Sequence, residues 1–115
     1  MSVTLYHNPR CSKSRETLAL LETHAVEPDI IEYLKTPLNE EQITALVKLL
    51  ALDSARDMMR TKEDLYKALN LKSQTNEAEL VKAMADNPKL IERPIVVNGD
   101  KAAIGRPPEN VLSVL

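Results

Sequence analysis

The stretch VTLYHNPRCSKSR, residues 3–15, decides the architecture. Its first four residues, Val3, Thr4, Leu5 and Tyr6, alternate and are rich in β-branched and aromatic side chains, which suits a strand, whereas His7-Asn8-Pro9 cannot readily continue one. From Ser12 or Lys13 the chain turns helical, with Leu18, Leu21 and Ala25 spaced by three and four until Glu27-Pro28 closes the run. Asp29-Ile30-Ile31-Glu32-Tyr33-Leu34 then predicts a second strand. Strand, crossover helix and strand make one βαβ unit, so the two strands should run parallel.

Outward from this unit the pattern stays helical from about residue 36 to residue 92. Ile43, Leu46, Val47 and Leu50 fall at i, i+3, i+4 and i+7 behind an Asn39 cap with Gln42 at the third helical position. Shorter helical pieces are expected around 54–59, 63–69 and 77–85, the last with Asn76 and Glu79 as a capping pair and a stop at Asn87-Pro88. The tail changes character. Ile95-Val96-Val97 predicts a short apolar strand, Asn98-Gly99 a tight hairpin, and residues 101–104 the returning antiparallel strand. After a turn at Gly105-Arg106, Pro107-Pro108 should start a last helix with Val111, Leu112 and Leu115 on its apolar face. The order β-α-β, helical insertion, β-β-α places the chain in the α/β class, with a thioredoxin-like mixed four-stranded sheet. A single domain over residues 1–115 is expected, carrying the helical insertion at about 36–92.

The totals bound the function. Apolar residues make up 43% and charged residues 28%, a globular balance, and a single cysteine can form no internal disulfide. A free thiol points to a reducing compartment and hence to the cytoplasm. The N-terminal segment has no basic region followed by a long apolar stretch, and no apolar run reaches 18 residues, so neither secretion nor membrane spanning is expected. A net charge of −2 with three Tyr, no Trp and no Phe argues against nucleic-acid binding. No apolar pattern stands apart from the expected core, so a monomer is expected.

Cys11 falls between a strand end and a helix start, where amide N–H groups of the first turn favour thiolate over thiol. His7, Arg10, Lys13 and Arg15 are potentially cationic neighbours that would help. A lone cysteine is more often buried and inert, but polar and charged residues flank this one on both sides. Cys11-Ser12-Lys13-Ser14 has the C-x-x-S form, a weak signal that its placement strengthens. With a hydroxyl in place of the second sulfur, an external thiol must resolve any mixed disulfide. The residue six places after Cys11 is Thr17, not the arginine of a phosphatase loop. Arg93-Pro94 precedes the third strand, where thioredoxin-like folds keep a cis-proline, although the sequence leaves the isomer open. Arg60 and Arg106, taken singly, have the character of surface arginines. One Cys with His7 and His24 provides no zinc ligand set, and Gly99 and Gly105 are too few for a phosphate loop. His24 suits a helix end; His7 is either a loop residue or a group that orients or charges the pocket.

Tyr6-His7-Asn8-Pro9-Arg10-Cys11-Ser12-Lys13-Ser14-Arg15, Arg93-Pro94-Ile95-Val96-Val97 and Gly105-Arg106-Pro107 together resemble the signatures of the glutathione- and glutaredoxin-coupled arsenate reductase family. The similarity runs nearly end to end. It implies a thioredoxin-like fold with a helical insertion, Cys11 as nucleophile, His7 assisting it, and Arg60, Arg93 and Arg106 as the oxyanion-binding arginines. It implies arsenate as substrate, no bound cofactor and no metal, glutathione as the reducing cosubstrate, and glutaredoxin as the protein partner. Members that detoxify arsenate commonly carry Gly-Thr directly after the cysteine; Ser12-Lys13 here resembles the housekeeping branch instead. Two alternatives stand beside this one: a monothiol, glutathione-linked oxidoreductase on another substrate, and a redox-responsive regulatory binding protein. The latter type usually carries C-x-x-C.

Overall fold

Strand β1 (Val3–Tyr6) has partners on both sides, which makes it interior to the sheet. In this computed structural model, which describes residues 3–115, the strand order is β2-β1-β3-β4, with β2 at Asp29–Ile31, β3 at Ile95–Asn98 and β4 at Lys101–Ile104. β1 runs parallel to β2, with Leu5 opposite Ile30, and antiparallel to β3, with Leu5 opposite Val96. β3 and β4 pair antiparallel, Val96 opposite Ala103. Helix α1 (Ser12–Thr23) supplies the crossover between the parallel strands. This is the thioredoxin-like mixed sheet that the order of elements predicts. Leu5, Val96, Leu21 of α1, and Val111 and Val114 near the C-terminus form one buried cluster. These strands and α1 belong to one compact unit, made of the residues through Thr36 together with Arg93–Leu115.

Three details of this unit differ from the sequence reading. β2 stops at Ile31 rather than Leu34, because the Glu32 carbonyl accepts from the Lys35 and Thr36 amides, both at 2.9 Å, and turns the chain. Tyr33 is buried all the same. The hairpin turns at Gly99-Asp100, one residue later than expected: Asn98 still pairs with Lys101, and Gly99 takes φ 63° at the first central position, as a type II′ turn requires. The final segment, Pro108–Val114, is a 3₁₀ helix, so its buried side chains recur every third residue at Pro108, Val111 and Val114, while Leu112 and Leu115 are exposed.

The second unit, Pro37–Glu92, is helical. Helix α2 (Glu40–Leu49) begins with the full capping box: Asn39 Oδ1 accepts the Gln42 N–H at 2.8 Å, and Gln42 Oε1 accepts the Asn39 N–H at 2.9 Å. Helix α3 covers Asp64–Ala68 and α4 covers Glu77–Asp86, the latter capped by Asn76 through the Glu79 N–H. The piece expected around 54–59 is a 3₁₀ turn, Ala55–Met58. Glu77 holds its start, accepting from Ser54 Oγ and the Ala55 N–H, both at 2.7 Å. The Arg56 guanidinium ties this turn to Tyr66 Oη and to the carbonyls of Leu71 and Gln74. Among the described residues no helix is long and apolar enough to cross a membrane.

Candidate active site

The chain leaves β1 into a loop, residues 7–11, in which each backbone N–H is hydrogen-bonded. The His7 N–H donates to the Ile31 carbonyl at 2.9 Å, and the Asn8 N–H donates to Ser14 Oγ at 3.0 Å. Asn8 in turn accepts the Arg10 N–H on its side-chain oxygen and the Cys11 N–H on its carbonyl, each at 3.0 Å. Pro9 sits inside this turn, where its missing N–H costs nothing. The result is an extended backbone at Cys11 (φ −91°, ψ 124°), the N-cap position of α1, with the Arg15 N–H closing the first helical hydrogen bond onto the Cys11 carbonyl.

Opposing effects set the state of the half-buried thiol. Burial pushes its pKa up, but the Ser14 amide, the hydrogen bond and charge of the Arg93 guanidinium, and the Lys13 amide together outweigh burial and bring it below the ordinary thiol value. Arg106 adds a contact from Nη2 to Cys11 Sγ at 3.7 Å, and its Nε donates to the Arg93 carbonyl at 2.8 Å, so one arginine is braced on the other's backbone. For Arg93, burial works against the charge, and the neighbouring Cys11 and Tyr33 reverse that, leaving the guanidinium more basic than usual.

Gly105 fixes where Arg106 begins. Its N–H donates to the Pro94 carbonyl at 2.8 Å, and a Cβ at this position would lie 2.7 Å from Thr17 Oγ1 and 2.8 Å from Pro94 Cγ. Only hydrogen fits there. Both Arg93-Pro94 and Arg106-Pro107 are cis; the sequence singled out the first as a candidate and not the second.

Of the residues named from the sequence, Cys11, Arg93 and Arg106 meet in the sheet unit. His7 does not touch the sulfur. It is buried with Nδ1 2.6 Å from Ser14 Oγ, and burial lowers its pKa against the opposing pull of Glu32, so the imidazole is held neutral rather than charging the pocket. The other expected cations also act differently: the Lys13 ammonium pairs with Glu16 at 3.4 Å, and Arg10 and Arg15 are exposed and are not among the main causes of the lowered thiol pKa. Arg60 belongs to the helical unit, where it pairs with Glu63 at 3.0 Å and its N–H donates to the Leu90 carbonyl at 2.7 Å. Sequence reasoning missed Tyr33 beside Arg93, and Ser14 as the link between His7, Asn8 and the helix start. The C-x-x-S spacing carried the second signal, since a hydroxyl at the third helical position can turn back to the loop before it.

The family model described as ArsC matches residues 6–114. A protein of Haemophilus influenzae (strain ATCC 51907 / DSM 11121 / KW20 / Rd) named arsenate reductase is 55% identical over 116 residues, covering 100% of both chains. YfgD of Escherichia coli (strain K12), described as an uncharacterized protein, is 58% identical over 114 residues, covering 98% of this chain and 96% of its own. The solved structure of an arsenate reductase from Vibrio cholerae is similar with a TM-score of 0.97 at 56% identity, covering 100% of this chain and 98% of that one.

Proposed function

The chain belongs to the ArsC family, and from that premise we propose that it is an oxidoreductase whose Cys11 reduces arsenate to arsenite, with glutathione and glutaredoxin supplying the electrons. The observation that carries this reading is the thiol at a helix start with its pKa lowered, hydrogen-bonded to Arg93 and 3.7 Å from Arg106 Nη2. Guanidinium forks suit a tetrahedral oxyanion because each can donate two parallel hydrogen bonds.

The Cys11 thiolate attacks arsenic; a sulfur–arsenic bond forms and a protonated oxygen leaves as water, while Arg93 and Arg106 balance the negative charge, a role that the resemblance also gives to Arg60. A glutathione thiolate then attacks the Cys11 sulfur. The sulfur–arsenic bond breaks with its electron pair passing to arsenic, which departs as arsenite, and Cys11 is left in a mixed disulfide with glutathione. With no second cysteine in the chain, a glutaredoxin thiolate takes over the glutathionyl group and releases Cys11 as thiolate. His7 acts here by position, holding Ser14, whose amide favours the ionised sulfur. Dependence on a glutathione pool fits the cytoplasm.

The test is purified protein with arsenate, glutathione and glutaredoxin, coupled through glutathione reductase to NADPH consumption. Turnover is expected, with none for Cys11→Ser; replacing Arg93, Arg106 or Arg60 by alanine should cost about 10²–10³ in kcat, and a near-normal rate removes that arginine from the mechanism. Ser12-Lys13 after the nucleophile favours a second reading, the same thiol exchange on a substrate other than arsenate. Faster reduction of a glutathionylated peptide than of arsenate would select it.

A further inference from the structure

Arg10 and Arg15 bracket the nucleophile without serving it. Arg10 immediately precedes Cys11, and its main chain is pinned by the 3.0 Å hydrogen bond to Asn8 Oδ1. Arg15 stands one helical turn beyond, its N–H on the Cys11 carbonyl at 3.0 Å. Both side chains are exposed. Among the described residues no carboxylate pairs with either, whereas Lys13 between them is engaged by Glu16. The thiol draws its stabilisation from Arg93 and from amides, and Arg106 is committed to the sulfur and to the Arg93 carbonyl. Two exposed guanidinium groups with no carboxylate partner therefore flank the nucleophile in the chain, one on the residue before it and one a helical turn after it.

We propose that Arg10 and Arg15 form a carboxylate-binding collar that selects a dicarboxylate thiol, glutathione, as the reductant; this rests on the function proposed above. Glutathione carries a carboxylate on each side of its cysteinyl residue, so two forks flanking the nucleophile can hold both ends while the central sulfur meets Cys11. A neutral thiol of the same reactivity gains nothing from them. The interaction is solvent-exposed, so each arginine contributes modestly and salt weakens it.

The test uses thiol–disulfide exchange, which needs no arsenate. The Cys11 thiolate attacks oxidised glutathione, forming the mixed disulfide and releasing one glutathione thiolate; the same attack on neutral 2-hydroxyethyl disulfide releases mercaptoethanol. Both rates are followed by intact-protein mass. Relative to wild type, Arg10→Gln and Arg15→Gln should each slow the glutathione reaction about 3-fold and the double variant about 10-fold, with the neutral disulfide unaffected and the difference shrinking at about 0.5 M salt. Equal slowing with both disulfides, or no slowing with either, overturns the collar. Discrimination in the exchange assay alongside absent arsenate turnover rejects arsenate as substrate and keeps the collar. Arsenate turnover in which the double variant keeps an unchanged KM for glutathione does the reverse.

Discussion

Burial opposes ionisation at Cys11, and the Ser14 amide, Arg93 and the Lys13 amide jointly overcome it. The rate of iodoacetamide alkylation against pH should therefore have its midpoint below that of the same thiol in the unfolded chain. Arg93→Ala removes both a hydrogen bond and a charge from the thiolate and should move that midpoint upward; an unmoved midpoint would exclude Arg93 as a cause. His7 works with the opposite chemistry. As a base whose pKa burial depresses, it takes up a proton in the unfolded chain near pH 6.5 but in the folded chain only at lower pH. Its contribution to stability is complete above about 6.5 and is lost as the pH falls toward the folded value. Denaturant midpoints at about pH 7.5 and about pH 5.5 should diverge less in His7→Gln than in wild type, and equal divergence would contradict this. The cysteine, its helix-start position and its C-x-x-S spacing were all legible in thirteen consecutive residues, 3–15. The protonation state of His7 was not, because it depends on burial and on Ser14 across the turn rather than on any neighbour in sequence.

Elements were legible where a local signal set them. The Asn39/Gln42 capping box and the period of α2 follow from side chains close together in sequence, and the parallel pairing of β1 with β2 from the helix that connects them. Boundaries failed where backbone hydrogen bonds overruled pattern: the turn at Glu32 cuts β2 short, and the 3₁₀ period of Pro108–Val114 turns Leu112 outward and Val114 inward. Helix α1 ends with Ala25 in a left-handed conformation (φ 59°), a place usually given to glycine, and the Val26 N–H returns to the Leu21 carbonyl at 2.9 Å. Gly105 shows the converse, a glycine required for space, between Thr17 of α1 and Pro94 ahead of β3. Gly105→Ala should lower stability by about 1–3 kcal/mol in denaturant melts, because backbone or Pro94 must shift to admit the methyl group. An unchanged midpoint would mean that these elements yield without cost.

In the molecule as a whole, the chemistry is assembled from distant parts of the chain. Cys11 and Arg106 are 95 positions apart in sequence, yet β1 and β3 are neighbours in one sheet, and the segments leaving that sheet carry the thiol and the arginines to one place. Four potentially cationic neighbours in sequence, His7, Arg10, Lys13 and Arg15, supplied the expectation of a cationic pocket, but guanidinium groups at positions 93 and 106 supply the contact. Convergence of that kind is a property of topology and is invisible to spacing. The chain has a single thiol, so the proposed function requires that electrons from glutathione pass through Cys11. A single-turnover experiment with arsenate and glutathione, glutaredoxin withheld, follows this passage by quantifying released arsenite and the mass of the intact protein together. Arsenite should appear in equal amount to chains bearing one glutathionyl group, mapped by peptide mass to Cys11, and then stop. Arsenite formed while Cys11 stays unmodified, or from the Cys11→Ser variant, would contradict it.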